Sequence, residues 1–135
     1  MFLLDTVIIS ELRKRQADVG VVRWVSQQEE DQLHLSVVTL GEIERGIAKR
    51  RKGDPVFADA LEAWLESLMR LYADRILPVS SGVARRWGRL SAQLGHEGAD
   101  LLIAATALTH GLTVVTRNTS HFEPTGVRLV NPFAP

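Results

Sequence analysis

The chain has 135 residues, of which 45% are hydrophobic and 24% are charged, and it contains no cysteine. This composition is typical of a globular protein, so we expect a single domain over residues 1–135, and it excludes a disulfide framework and a thiolate zinc site. Sixteen basic residues balance sixteen acidic ones. Any binding of nucleic acid therefore has to come from a local basic surface and not from the net charge.

The N-terminal residues favour a cytoplasmic protein. They read MFLLD, with an acid at position five and neither a basic segment nor a long apolar run. A signal peptide or a membrane span requires such features. We therefore expect no association with a membrane, and the lack of cysteine agrees with a reducing compartment.

Short apolar segments alternate along the chain with longer segments of helical period, which is the pattern of a parallel sheet covered by helices. The predicted strands cover residues 2–4, 33–36, 76–79, 112–115 and 128–130. The predicted helices cover residues 8–14, 19–28, 39–51, 54–72 and 98–110, with one more that is capped at 80 or 81 and carries residues 83, 87 and 90. These segments predict an α/β protein with a central parallel sheet.

The first candidate site residue is Asp5, which ends the first apolar strand where the chain turns towards a helix. Ligands of open α/β sheets bind beyond the carboxyl ends of the strands, so Asp5 stands where a bound ion or substrate is expected. An aspartate at this position also caps the next helix. For Asp5 taken in isolation, capping is the commoner role.

Two further acids occupy similar positions. Glu42 follows Thr39 by three residues, the spacing of a capping box in which Glu42 bonds back to the backbone of Thr39. The first turn of that helix also lies near the carboxyl edge of the sheet. Asp100 starts an almost wholly apolar segment, where an acid suits the helix dipole. Because this segment must be buried and contains no lysine or arginine, Asp100 requires a partner from elsewhere.

The three acids are harder to explain together than singly, because each starts a helix near one edge of a single sheet. Two carboxylates about 5 Å apart repel each other by about 3 kcal/mol at an effective dielectric constant of about 20. Protons or a cation must offset this repulsion. Oxygen ligands without nearby cysteine or histidine favour Mg²⁺ or Mn²⁺ over zinc. Such a site is suited to phosphodiester hydrolysis, because the ion activates water and neutralises charge on the phosphate.

Four segments carry a further signal in their order and spacing. They read FLLDT at 2–6, LSVVT at 35–39 before Glu42, DLLIAATA at 100–107, and VTRN at 115–118 followed by NPF at 131–133. In these segments, which extend over essentially the whole chain, the sequence resembles the PIN-domain toxins of the VapC family. The resemblance implies a three-layer α/β/α fold and a Mg²⁺- or Mn²⁺-dependent endoribonuclease that cuts a structured cellular RNA. It also implies a type II toxin–antitoxin module with a VapB-type antitoxin.

The resemblance assigns roles to individual positions. Asp5, Glu42 and Asp100 match the three principal metal-binding acids of the family. A fourth catalytic position falls on Asn118, whose amide can orient a water molecule but brings no charge to a second metal ion. Val7 departs from the family pattern, which has asparagine there, so a polar contact beside Asp5 is missing.

Other polar residues accompany the predicted acids. Thr6 and Thr116 are candidates for hydroxyl groups that bond to the metal ligands, although threonine also caps helices and favours strands. Arg117 is the predicted RNA contact because it adjoins the site in the sequence. The basic residues at 13–15, 49–52 and 85–89 are more typical of ordinary surface.

The four histidines show no metal-ligand spacing. We interpret all four as structural or exposed residues rather than as catalytic ones: His34, His96, His110 and His121.

Amphipathic helices offer a candidate surface for partners. The residues concerned are Ile43, Ile47, Trp64, Leu65, Leu68 and Met69. Packing in the core explains the same residues. The resemblance implies that this face also receives the antitoxin or a second copy of the toxin in a homodimer, with larger toxin–antitoxin assemblies built from these contacts.

Two alternatives to an active nuclease remain at this point. A phosphoacceptor domain also clusters acids at strand ends, but only Asp5 follows the first strand here and no lysine occurs after Lys52. The stronger alternative is a catalytically weakened PIN module that binds RNA or an antitoxin without efficient cleavage. Val7 and Asn118 are the residues that favour this alternative.

Overall fold

A computed structural model describes residues 1–135 as five strands and seven α-helices. The strands are β1 (Phe2–Leu4), β2 (Leu33–Ser36), β3 (Ile76–Leu77), β4 (Thr113–Val115) and β5 (Leu129–Val130). The helices are α1 (Thr6–Arg13), α2 (Val19–Ser26), α3 (Val37–Arg51), α4 (Pro55–Tyr72), α5 (Ser81–Leu94), α6 (Ala99–His110) and α7 (Thr119–Phe122).

The strands form one parallel sheet in the order β3-β2-β1-β4-β5. On β1, Phe2 is in register with Leu33 of β2, and Leu4 is in register with Val115 of β4. The chain moves outwards from β1 to β3 and then returns to the other side of β1. The carboxyl ends of β1 and β4 therefore flank the point where the strand order reverses, which is where α/β sheets bind ligands.

Alternate residues of the central strand face two separate cores, as the pleat of a strand requires. Leu4 packs on the side that contains Ile8 and Ile43, from α1 and α3. Leu3 packs on the opposite side with Ile103 and Phe122, from α6 and α7. The sheet is thus covered on both faces, and the predicted three-layer α/β/α fold is confirmed.

The predicted elements are present, and the differences lie at their ends. β3 is two residues shorter than predicted because Pro78 cannot donate to a sheet. α1 starts two residues earlier than predicted, directly after its cap at Asp5. α7 was not predicted, since a helix of four residues is too short to show a period.

The longest helix is α4, with 18 residues. Its inner face buries Ala58, Leu65, Leu68 and Tyr72, which agrees with the predicted amphipathic pattern. Asp54 caps its first turn by accepting from the N–H of Phe57 at 3.1 Å. None of the helices combines the length and apolar character needed to cross a membrane.

Candidate active site

Asp5 is the most enclosed of the predicted acids, with 4% of the residue exposed. It directly follows β1, and its backbone N–H donates to the carbonyl of Val115 at 2.9 Å. Its Oδ1 accepts from the Thr6 N–H at 2.8 Å, and its Oδ2 accepts from the Thr116 hydroxyl at 2.8 Å. Contacts from both α1 and the end of β4 therefore hold the carboxylate in one orientation.

The surroundings raise the pKa of the Asp5 carboxyl from 3.8 to about 6. Burial is the largest cause, because it penalises the charged form. Hydrogen bonds from Thr116 and from the Thr6 N–H lower the pKa, whereas the carboxylates of Asp100 and Glu42 raise it. The fold thus brings Glu42 and Asp100 within electrostatic range of Asp5.

Glu42 lies on α3 and joins the site through Thr6. The Thr6 hydroxyl donates to Glu42 Oε1 at 2.6 Å. A second hydrogen bond of 3.0 Å joins the Thr6 hydroxyl to that of Thr39, a fully buried residue. Thr6 thus links two acids, since its backbone N–H binds Asp5 and its hydroxyl binds Glu42. The contact of Thr39 was not predicted, because its partner is 33 residues away in the sequence.

The predicted capping box between Thr39 and Glu42 is wrong. The cap of α3 is Ser36, which accepts from the Val38 N–H at 3.0 Å, and the helix begins at Val37. Thr39 and Glu42 therefore lie inside the helix. The hydroxyl of Ser36 at the end of β2 starts the helix at once, and this leaves the Glu42 side chain to bind a residue of α1.

Asp100 lies in the first turn of α6 with 34% of its side chain exposed, so it is half-buried rather than enclosed as predicted. Its Oδ2 is 3.3 Å from Nδ1 of His121, which belongs to α7. Asp100 thus has a partner from outside its own helix, as predicted, and this partner is an imidazole. No lysine or arginine forms an ion pair with Asp5, Glu42 or Asp100.

Asn118 follows the end of β4 and is exposed. Its backbone N–H donates to Thr116 Oγ1 at 2.9 Å, so the Thr116 hydroxyl accepts from Asn118 while it donates to Asp5. The Asn118 side chain does not cap α7. Val7 packs against the apolar core on the α1 side and offers no polar contact.

The donor set fits Mg²⁺ or Mn²⁺ in its chemistry, because it consists of carboxylate, hydroxyl and amide oxygens. As the side chains stand, no group of three or more aspartate, glutamate or histidine residues is arranged to hold a metal ion. Each acid instead has its own partner. Asp5 binds Thr116, Glu42 binds Thr6, and Asp100 lies beside His121.

A groove of about 500 Å³ is continuous with the acids, since Thr6 and Glu42 belong to its lining. It lies between α1, α3 and α4, and its basic and aromatic lining residues are Arg13, Lys49, Arg50, Phe57 and Trp64. The guanidinium carbons of Arg50 and Arg13 lie 4.6 Å and 5.7 Å from the centre of the Phe57 ring. Such contacts are cation–π interactions. Cations and aromatic rings therefore adjoin the acids on one surface.

The predicted partner face divides between this groove and the core. Ile43, Ile47 and Trp64 line the groove. Leu65 and Leu68 are buried in the core beneath it. Met69 is 45% exposed and does not belong to the lining. Core packing thus accounts for Leu65 and Leu68, as the alternative interpretation held, and Ile43 and Ile47 are also buried in this core although they reach the lining of the groove.

Arg117 follows Thr116 in the sequence, but its side chain packs towards the C-terminal residues. Its guanidinium carbon lies 4.5 Å from the centre of the Phe133 ring. Its charge is also one of the causes that lower the pKa of Asp18. The guanidinium is exposed beside this tail, and contact with RNA remains a prediction.

Comparison with known proteins identifies the family. Residues 2–126 match the family described as PIN domain. The VapC ribonuclease Y4jK of Sinorhizobium fredii (strain NBRC 101917 / NGR234) is 37% identical over 142 residues, which cover 100% of this chain and 99% of the relative. Four motifs that resemble VapC toxins in the sequence are thus part of a similarity over the full length.

Solved structures agree with this family. FitAcB from Neisseria gonorrhoeae superposes with a TM-score of 0.85 at 37% identity, covering 98% of each chain. VapBC-5 from Mycobacterium tuberculosis, a member of the VapBC family of toxin-antitoxin systems, superposes with a TM-score of 0.56 at 25% identity, covering 96% of each chain. The chain therefore belongs to the PIN-domain family and, within it, to the VapC group that its sequence resembles.

Proposed function

We propose that this protein is the toxin of a type II toxin–antitoxin module and an endoribonuclease that requires Mg²⁺ or Mn²⁺. Asp5, Glu42 and Asp100 hold the ion, and a structured cellular RNA is the substrate. One observation carries the proposal: three carboxylates lie within electrostatic range around a buried Asp5, and none forms an ion pair with lysine or arginine. The full-length similarity to a VapC ribonuclease supports RNA as the substrate.

The charge of Asp5 explains why a cation fits this place. A buried carboxylate is costly unless it is paired or fully hydrogen-bonded. Asp5 accepts two hydrogen bonds, and the neighbouring carboxylates add repulsion. A divalent ion offsets both the burial and the repulsion, and a proton does so only near or below the raised pKa of about 6.

Each residue of the site has a distinct task in this proposal. Thr116 and the Thr6 N–H orient Asp5 through one hydrogen bond to each oxygen, and each oxygen keeps a free lone pair. The ion supplies two effects when bound: it lowers the pKa of a water molecule and neutralises charge on the phosphate. The amide of Asn118 orients water or substrate without adding charge.

Asp5, Glu42 and Asp100 would hold the ion after rotation of the Glu42 and Asp100 side chains. Glu42 is half-buried and Asp100 has 34% of its side chain exposed, so both side chains have room to move. Asp5 is fixed by its two hydrogen bonds. The rigid Asp5 therefore sets the position of the site, and Glu42 and Asp100 adjust to it.

The groove beside the acids is the proposed docking place for a VapB-type antitoxin. Ile43, Ile47 and Trp64 give it an apolar floor, and Glu42 connects it to the site. A peptide in this groove covers Glu42, the acid that belongs to its lining, and so blocks the approach of RNA to this part of the site. An antitoxin partner is supported by the similarity to VapBC-5, which is a member of the VapBC family of toxin-antitoxin systems. We also propose that two copies of this protein form a homodimer, and that the homodimer and the antitoxin form a larger assembly.

Cleavage assays with metal and chelator test the nuclease. Purified protein is incubated with structured cellular RNA and Mn²⁺, with and without excess EDTA, alongside Asp100→Asn and Glu42→Gln variants. Glu44→Gln is the matched control, because Glu44 is an exposed residue of the same helix as Glu42. We expect EDTA, Asp100→Asn and Glu42→Gln to reduce cleavage by at least about a hundredfold, while Glu44→Gln retains it.

The same assay separates the proposal from the weakened PIN module. Cleavage that persists in EDTA or in Asp100→Asn contradicts the metal mechanism. Binding of RNA without cleavage at saturating Mn²⁺ favours the weakened module, with Asn118 as the residue that lacks a charge for a second ion. Restoration of cleavage by Asn118→Asp then identifies that position as the cause.

A further inference from the structure

We infer that His121 is a positioning residue for Asp100 and that it raises the affinity of the acid site for its divalent ion. The inference rests on the proposed metal-dependent function and deepens it. Nδ1 of His121 lies 3.3 Å from Oδ2 of Asp100. Of the groups that face the Asp100 carboxylate, this imidazole is the one at ion-pair distance.

Two anchors on either side fix the position of His121. Phe122 is fully buried in the core with Ile103 of α6 and therefore fastens α7 to the helix that carries Asp100. On the other side, the His121 N–H donates to the carbonyl of Asn118 at 3.0 Å, and Asn118 is tied to the site through Thr116. The imidazole is thus placed by the fold, although 62% of its side chain is exposed.

The contact leaves one oxygen of Asp100 for an ion. Oδ2 lies at ion-pair distance from the imidazole but accepts no hydrogen bond of good geometry from it, and Oδ1 makes neither a hydrogen bond nor an ion pair within the protein. Nδ1 carries a hydrogen in one neutral tautomer of histidine as well as in the charged form. A small rotation of the exposed imidazole therefore suffices to form a hydrogen bond to Oδ2 in either form. Partners that orient metal ligands typically change metal affinity by about 10- to 100-fold when they are removed.

Calorimetric titration with Mn²⁺ in the absence of RNA tests the inference. The variants are His121→Ala, which removes the donor, and His121→Asn, whose amide nitrogen replaces Nδ1. His110→Ala is the matched control, because His110 is an exposed histidine at the opposite end of α6 from Asp100. Asp100→Ala reports the loss of the ligand itself. Thermal unfolding of each variant checks the fold, and the exposure of His121 predicts little change.

We expect His121→Ala to weaken Mn²⁺ binding by about 10- to 100-fold, His121→Asn to recover most of this loss, and His110→Ala to bind as the unmodified protein does. Cleavage by His121→Ala should return at saturating Mn²⁺, since the loss lies in affinity. Equal or tighter Mn²⁺ binding by His121→Ala, with binding lost in Asp100→Ala, overturns the inference and leaves the proposed function intact. If the unmodified protein binds no Mn²⁺, or Asp100→Ala binds it equally well, both fail.

Discussion

Asp5 caps α1 and Asp18 caps α2, but the fold surrounds the two carboxylates differently. Oδ1 of Asp18 accepts from three backbone N–H groups, those of Gly20 at 2.9 Å, Val21 at 3.1 Å and Ala134 at 3.0 Å. These contacts, with that of Ala134 as the largest cause, lower the pKa of Asp18 below its usual value. The pKa of Asp5 is raised to about 6 instead.

The difference distinguishes an aspartate whose charge the protein compensates from one that is suited to the proposed metal site. At Asp18 the protein itself stabilises the anion, with backbone donors and the charge of Arg117. At Asp5 burial and the carboxylates of Glu42 and Asp100 outweigh two hydrogen bonds. A residue whose charge the fold does not compensate is suited to an external cation, and an N-cap position by itself does not separate the two cases.

The largest expected effect is on catalysis. Asp5→Asn should reduce Mn²⁺-dependent RNA cleavage by at least about a hundredfold, because it removes a charged ligand from the site. Asp18→Asn should retain cleavage per folded molecule, since Asp18 serves the cap and the C-terminal residues. Initial cleavage rates, normalised to the folded fraction by circular dichroism, measure both. Equal losses in the two variants contradict the distinction.

The second effect is on stability and its dependence on pH in the presence of EDTA. The folded state binds the Asp5 proton more tightly than the unfolded state, since the pKa is about 6 against 3.8. The ionisation of Asp5 therefore lowers the free energy of unfolding as the pH rises from about 4 to about 6. Above about pH 6 this loss is complete, and below about pH 4 it is absent. Asp5→Asn should raise the free energy of unfolding at pH 8 by about 2–3 kcal/mol, and this gain should disappear as the pH falls to about 4.

Urea unfolding of the same variants at several pH values measures this change. Asp18→Asn is the comparison, and the opposite sign is expected. Its lowered pKa means that the ionised form stabilises the fold, so the substitution should destabilise at pH 8, and the effect should shrink as the pH falls through the folded-state pKa. A metal-free Asp5→Asn protein that is less stable than the unmodified one at pH 8 contradicts the assignment for Asp5.

The smallest expected effect concerns the tail that Asp18 holds. A Cβ at Gly20 meets the carbonyl oxygen of Pro132 at 2.5 Å and the nitrogen of Ala134 at 2.6 Å. Gly20→Ala should therefore displace the tail and reduce the free energy of unfolding by about 1–3 kcal/mol. Urea unfolding measures the loss, and amide exchange of residues 131–135 reports the tail. If amide exchange of residues 131–135 is unchanged in Gly20→Ala, the predicted displacement of the tail is contradicted.

Gly88 provides the control for Gly20. It lies inside α5, and a Cβ there meets nothing within 4 Å. Gly88→Ala should therefore stabilise the protein by roughly 0.5–1 kcal/mol, because alanine loses less backbone entropy on folding. If alanine lowers the free energy of unfolding at Gly20 and raises it at Gly88, the loss at Gly20 comes from its contact with the tail.

Much of the fold was predictable because its signals are local. The strand Phe2–Leu4 is buried on both sides and reads as a short apolar run, and the cap and proline at Asp54 and Pro55 mark the start of α4. The three acids were predictable as candidates for a related reason. Each stands just beyond a strand or at the start of a helix, and a parallel sheet brings such positions to one edge.

The hydroxyls of Thr6 and Thr116, which bind Glu42 and Asp5, were predicted from their positions next to the acids. Other contacts around the site were not predictable in this way. Thr39 lies inside a helix and touches Thr6 only after α1 and α3 pack together. His121 shows no metal-ligand spacing, and its neighbour Asp100 comes from another helix. Arg117 adjoins the site in sequence, yet its side chain stacks on Phe133. Contacts of this kind depend on packing between elements, which the period of a single segment does not encode.

The α/β class could thus be predicted from the sequence, together with candidate acids at one sheet edge, because hydrophobic period and capping act over a few residues. The pKa values of Asp5 and Asp18, in contrast, depend on contacts that form only in the folded chain. Burial and the approach of Glu42 and Asp100 raise the pKa of Asp5, while three backbone N–H groups, one of them from the C-terminal tail, lower that of Asp18. Desolvation and charge–charge distance exist only in the folded chain, which is why two aspartates that both cap helices differ in chemistry.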